Sequence, residues 1–175
     1  MWAHGFGSSM RPLAVIFTLN AVLVGAAAAP SVGVGTQALY AFSNGCIGDV
    51  SLPETNSAIG ITFRHAEVPI VGTVDLFFSS STITRIGLTA DWWIQNPVVF
   101  KDLHFFYGPG LACRLWTDTP AGYIGARFET GLNLFVIPHL ELYLQGAAEF
   151  GPLIEKGRSS FAWSVPVSSG ARWWF

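Results

Sequence analysis

The chain has 175 residues, enough for one domain, and its net charge of −2 with no basic run excludes a nucleic-acid footprint. Charged residues make up 11%, against 51% hydrophobic and 14% aromatic. A typical globular domain carries about 25% charge, so a surface wholly in water is excluded as well.

Residues 10–29 read MRPLAVIFTLNAVLVGAAAA. Arg11 supplies a positive start, an apolar stretch runs from Leu13 to Gly25, and Ala26-Ala27-Ala28 offers a small-residue cleavage site. This is the layout of a secretory signal peptide. It is assigned to residues 1–28, with the true start at Met1 or Met10, and residues 29–175 are assigned to the folded part. No later run of apolar residues is long enough for a membrane helix, so any further insertion must use strands.

Eight strands are predicted: Val32–Phe42, Ala58–Glu67, Val71–Ser79, Thr84–Gln95, Val99–Leu115, Gly122–Phe135, Leu140–Phe150 and Phe161–Phe175. Their period is two. Ile59, Ile61 and Phe63 oppose Gly60, Thr62 and Arg64, and Val74, Leu76 and Phe78 oppose Thr73, Asp75 and Phe77. Ile86, Leu88 and Trp92 oppose Arg85, Gly87 and Asp91. Ile124, Phe128 and Leu132 oppose Tyr123, Arg127 and Glu129, and Leu142 and Leu144 oppose Glu141 and Tyr143. One face is apolar throughout. The other collects small residues with Arg64, Asp75, Arg85, Asp91, Arg114, Arg127, Glu129, Glu141 and Arg172, and no lysine. A soluble sheet would show lysine-rich polarity to water. Small residues with near-balanced charge suit a narrow interior in which each buried charge needs a partner. The pattern predicts an eight-stranded antiparallel up-and-down transmembrane barrel, apolar outside and polar inside.

The links at Val68-Pro69, Asn96-Pro97 and Val136–Pro138 are short, whereas Ser43–Ser57, Thr117–Ala121 and Gly151–Ser160 read as polar loops; Ser80–Ile83 is a short exception. Short turns on one side and longer loops on the other are expected of such a barrel. Tyr40, Phe42, Trp116 and Phe161 near one end, and Trp92, Trp93, Phe135, Trp173 and Phe175 near the other, are expected to form interfacial aromatic girdles. Pro109 and Pro166 fall inside strands, where a closed ladder tolerates proline only at bulges or bends.

The terminal segment from Ser164 to Phe175 resembles the C-terminal strand of outer-membrane barrels, with Ala171, Trp173 and Phe175 two apart. The mature chain resembles the small eight-stranded barrels of the OmpA-domain, OmpX and OmpW kind. The stretches Phe106–Gly110, Gly125–Phe128, Gly131–Asn133 and Leu140–Leu144 look like the spirochaetal members. The resemblance implies export through the periplasm to the bacterial outer membrane, contact with its lipid, and recognition of the C-terminal residues by the barrel-assembly machinery. It does not fix a function.

No catalytic constellation, cofactor motif or metal-ligand spacing is legible, and a non-enzymatic protein is expected. His65, His104 and His139 are scattered singly at the periplasmic side, away from the loop serines. Glu129 and Glu141 read as salt-bridge partners rather than paired acids, given Arg127 nearby. Cys46 and Cys113 could form a loop-to-rim disulfide if their Cα atoms approach within about 7 Å. The leading expectation is a structural barrel with a side-chain-filled lumen that displays the loop 43–57 to a host or extracellular ligand. One alternative is a narrow channel or site for small hydrophobic molecules, lined by Leu39, Phe77, Phe106 and Tyr143. The other is a soluble lipocalin-like periplasmic binder with its apolar face inward.

Overall fold

The computed structural model describes residues 31–48, 56–79, 82–94 and 96–175, so the signal-peptide assignment at 1–28 and loop residues 49–55 lie outside the described residues. The strands are β1 (Val32–Ile47), β2 (Ser57–His65), β3 (Ile70–Ser79), β4 (Thr82–Trp92), β5 (Val98–Phe100), β6 (Leu103–Trp116), β7 (Ala121–Ile137), β8 (Leu140–Glu155) and β9 (Arg158–Trp174). Eight of them close a ring through the β4–β6 and β1–β9 pairings, and β5 is a short addition to the start of β6. Every pairing is antiparallel. Closure removes all free edges from the ring, which is what a sheet needs where no water can satisfy its backbone.

The period-two reading holds around the ring. Ile59, Ile61, Phe63, Leu88, Leu111, Ile124, Phe128 and Leu144 stand exposed on the outside, while Asp75, Asp91, Arg127, Glu129, Glu141 and Arg172 are buried inside. A shell of bare aliphatics around a charged interior is the membrane-barrel arrangement. It is the inverse of the soluble lipocalin-like alternative, which that orientation overturns.

Several boundaries differ from the sequence expectation. The segment expected as one strand from Val99 breaks at Lys101, whose φ of 49° ends β5 and turns the chain into β6. β4 stops at Trp92 rather than Gln95. Ser43–Ile47, expected as loop, continues β1 alongside β9. Gly151–Ser160, also expected as loop, is strand except for a tight turn at Lys156-Gly157, where φ is 48° and 79°. Positive φ at both central residues is the hairpin geometry that matches strand twist. The contrast of long loops with short turns is therefore weaker than expected.

The wall has uneven height. β2, β3 and β4 have 9, 10 and 11 residues, the length that crosses a bilayer at a tilt. β1, β7, β8 and β9 have 16 or 17 and overreach that span. A bulge in β1 between Ala41 and Ser43 lies opposite Pro166, which accounts for a buried proline in the ring. Pro109 has no bulge; it is the residue at which the β4–β6 ladder has just ended, at Asp91–Gly110. The end of the barrel where β1 begins and β9 finishes is called the terminus end below, and the opposite one the loop end.

Candidate functional site: the charged lumen

Alternation places the lumen side chains in rows across neighbouring strands, and glycines in those rows let the flanking side chains meet. Asp91, Gly110, Arg127 and Glu149 are successive cross-strand partners on β4, β6, β7 and β8. A Cβ on Gly110 would lie 2.1 Å from Asp91 Oδ1, so only glycine leaves Arg127 room to reach that carboxylate. Arg127 Nε donates to Asp91 at 2.7 Å and Nη1 to Glu149 at 2.7 Å, while Nη2 binds Glu129. One guanidinium is thus the hub for three carboxylates. Glu149 also binds Arg114, and Glu129 accepts from the Trp93 indole at 3.0 Å.

The same device recurs. Gln37 donates to Asp75 at 2.8 Å across Gly60, and Tyr143 donates to Gln37 at 3.0 Å across Gly170. Arg172 Nε donates to Thr62 at 3.0 Å across Gly35, one of the two β1 glycines on the lumen face.

A second hub occupies the terminus end with the signs reversed. Glu141 accepts from Arg64 at 2.8 Å, Asn133 at 2.9 Å and the Trp174 indole at 3.0 Å, and pairs with Arg172 at 3.3 Å. Arg64 stacks over Trp93, 4.1 Å from its centroid, and Trp93 stacks on Phe106 at 3.7 Å. Cations over aromatic faces gain from the ring quadrupole once water is excluded. Toward the loop end, Arg85 stacks on Phe77 at 3.9 Å.

All nine residues expected to form the lumen charge network face inward: Arg64, Asp75, Arg85, Asp91, Arg114, Arg127, Glu129, Glu141 and Arg172. Glu149 is an addition that the sequence reading missed, although it continues the series Glu141, Tyr143, Gln145, Ala147 on the same face of β8. With it the lumen residues named here hold five arginines and five acids. Glu129 and Glu141 do not act as a pair: one belongs to each hub.

No protein-family model matches the sequence, and no curated protein does. Among solved structures, the crystal structure of Neisserial surface protein A aligns with a TM-score of 0.52 and 17% identity, covering 82% of this chain and 97% of that one. The outer membrane protease OmpT from Escherichia coli aligns at a TM-score of 0.34 and 8% identity, over 83% of this chain and 94% of that one, too loosely to carry an argument. The fold is that of the small eight-stranded outer-membrane barrels.

Within this outer-membrane barrel fold the remaining expected residues separate. Leu39 and Phe77 cluster with Ala58 in the loop half, Phe106 packs with Trp93 and Val71 at the terminus end, and Tyr143 lies under Arg172 at 3.9 Å. The four residues considered as apolar ligand contacts thus fall into three separate packing groups among the described residues. Cys46 and Cys113 are both free thiols. Cys46 packs at the loop end against the cluster of Trp116, Tyr123, Leu153 and Ala162, while Cys113 alternates with inward Ala112 and Arg114 and so points outward. They lie on strands with others between them on both sides of the ring, so the expected disulfide is not formed.

Trp93 and Trp116, expected in girdles, are buried in the lumen, whereas Tyr40, Phe42, Trp92, Phe161 and Phe175 stand exposed outside. Phe135 packs near Trp174 with centroids 6.0 Å apart. Ala171 and Trp173 alternate with buried Arg172 and Trp174 and so face outward, and Phe175 donates its N–H to Val32 O at 2.9 Å, tying the chain's last residue to β1. His65, His104 and His139 lie at the terminus end; His104 and His139 contact the backbone oxygens of Asn96 and Trp174. No cluster of three or more potential metal ligands occurs among the described residues.

Proposed function

We propose that this chain is a non-enzymatic structural protein of the bacterial outer membrane, a barrel closed by its own lumen side chains that presents its loop end to the outside. The observation that carries this reading is the pair of buried hubs on Arg127 and Glu141, stacked across the lumen with Trp93, Phe106 and Trp174 between or beside them. A diffusion pore needs a continuous water path, and an eight-stranded barrel has little interior to spare once side chains fill it. The cavity lined by Phe77, Arg85 and Trp116 is about 20 Å³, roughly the space of one water. That volume speaks against a conduit for hydrophobic molecules as well.

The outer-membrane location is supported by the apolar outer shell and by the fold shared with Neisserial surface protein A. On this reading the partners are the membrane lipid along the outward aliphatics, and the assembly machinery at Ala171, Trp173 and Phe175. Any host or extracellular ligand meets the region 43–57, whose strand part Ser43–Ile47 rises above β2. Single-channel recording in planar lipid bilayers tests the closed lumen. The expected result is no sustained conductance steps, and stable open steps from the purified barrel overturn the reading. Extraction only by detergent, with heat-modifiable electrophoretic mobility, is the expected companion result for the membrane location.

A further inference from the structure

The apolar outer shell is not a level band. A strand tilted at about 45° climbs roughly 2.3 Å per residue. The 9 residues of β2 therefore reach about 21 Å and the 16 of β1 or β8 about 37 Å, against an apolar band about 25 Å tall in such barrels. The surplus on β8, β9 and β1 stays apolar. Ile47, Phe161 and Pro152 are cross-strand partners in one row at the loop end, and Ile154 lies beyond them on β8. Ile47 is 70% and Ile154 52% exposed.

At the terminus end the surplus lies on the other side. β4 is directly across the ring from β9, with three ring strands between them either way. It stops at Trp92, and β5 takes its place beside the start of β6. All of β5 is exposed and apolar: Val98, Val99 and Phe100. The shell is thus high on the side of β9 and low beneath β4. A flat bilayer covers an inclined belt only if the barrel axis leans.

The charges outside the lumen follow the same diagonal. Apart from the five lumen arginines, the described residues hold three Lys or Arg, namely Lys101, Lys156 and Arg158, all exposed. Lys156 and Arg158 cap the β8–β9 wall at its highest point. Lys101 follows Phe100 at the lowest, with its ammonium 5.4 Å from that ring. Glu155 and Asp102 stand beside them, while Glu67 and Asp118 lie in other turns. Long Lys and Arg stems lie along apolar surface and carry their charge to a phosphate layer that the shorter acids do not reach.

We propose that the barrel sits obliquely in the bilayer, leaning so that its apolar belt is level, with phospholipid headgroup phosphates held by Lys156 and Arg158 at one corner and by Lys101 at the diagonally opposite one. This inference rests on the membrane reading above. The occupant of the surplus apolar wall is lipid, because that wall is continuous with the outward aliphatics below it and ends in cations that match an anionic headgroup.

The test uses the full barrel in discs of phosphatidylcholine mixed with phosphatidylglycerol. NMR follows the relaxation of isoleucine and valine methyl groups on adding a water-soluble gadolinium chelate. Ile61, the central residue of β2, is the lipid-covered reference. The expected result is that Ile47, Ile154, Val98 and Val99 are shielded as Ile61 is. Lys156→Gln combined with Arg158→Gln should raise the chelate's effect at Ile154 by about twofold or more. It should raise it at Val98 and Val99 as well, because a rigid barrel that rights itself lifts both corners out of the lipid. Asp118→Asn, in the exposed β6–β7 turn, leaves all four positions unchanged. The substituted side chains are exposed, and heat-modifiable mobility checks that each variant is folded. Ile47 and Ile154 open to the chelate beside a shielded Ile61 overturn the oblique seating, whereas an open Ile61 overturns the membrane reading beneath it. Shielded corners that the double variant leaves unchanged, or a change confined to Ile154, mean that lipid adapts locally around an upright barrel, and they overturn the proposal too.

Discussion

The two hubs of the lumen are built from the same parts with opposite signs. At mid-barrel one guanidinium, Arg127, gathers Asp91, Glu129 and Glu149. At the terminus end one carboxylate, Glu141, gathers Arg64 and Arg172 with two neutral donors, Asn133 and Trp174. Both stand on a direct cross-strand pair, Arg127–Glu149 and Glu141–Arg172. They differ in what remains when the centre is removed. The first leaves three like charges packed together, with Arg114 to answer one of them. The second leaves two cations, of which Arg64 is 15% exposed and already lies over an indole. The lesson is that a buried charge is held by its surroundings rather than by one partner, and that the mid-barrel hub has less room to relax.

The largest effect is therefore expected from Arg127→Gln. Breaking a buried ion pair from one side typically costs about 3–5 kcal/mol, and here three carboxylates lose their common partner. Urea unfolding of the barrel in vesicles, followed by tryptophan fluorescence, measures this. An effect below that of the terminus-end variant would show that the hubs are not ranked as argued. Glu141→Gln is expected to cost less, about 2–3 kcal/mol. The amide keeps one oxygen, which at the Oε1 position still accepts from Asn133 while the Trp174 indole loses its acceptor at Oε2, and Arg64 can turn toward water. The same unfolding assay compares the two directly.

How far this site was legible from the sequence follows from one physical rule, that a strand's side chains alternate. The rule assigned Asp75, Asp91, Arg127 and Arg172 to the interior. It also points inward for Trp93, after Arg85, Gly87 and Asp91, and for Trp116, after Ala112 and Arg114. The expectation that aromatics at strand ends form girdles overrode it, and both indoles turned out to be buried. Glu149 carried the same signal, eight residues on from Glu141 along one strand face. Cys46 could not be placed this way. The bulge between Ala41 and Ser43 resets the alternation of β1, and no residue type there announces it. The strand lengths were hidden for another reason. Lys156-Gly157 is an adequate two-residue turn, but the polar Ser159 and Ser160 beside it read equally well as loop. Partner choice among the charges also lay beyond the sequence, because it depends on which strands become neighbours and on where glycine opens a row.

That last point gives the smallest and most discriminating test of the comparison. Gly110 stands between Arg127 and Asp91 in its row, and Gly35 stands between Arg172 and Thr62 near the other hub. A methyl group at Gly110 would meet Asp91 Oδ1 at 2.1 Å and the Ala90 carbonyl at 2.8 Å, so something must shift. Overpacking of this kind typically costs about 1–3 kcal/mol. Gly110→Ala is thus expected to destabilise less than Arg127→Gln, because Glu129 and Glu149 keep their bonds to the guanidinium. In the Asp91→Asn background the same alanine should cost less than it does alone, since the carboxylate it displaces from Arg127 is no longer charged. If the two changes prove additive in a double-mutant cycle, glycine at this row is a packing residue only, and the hub does not depend on the gap it leaves.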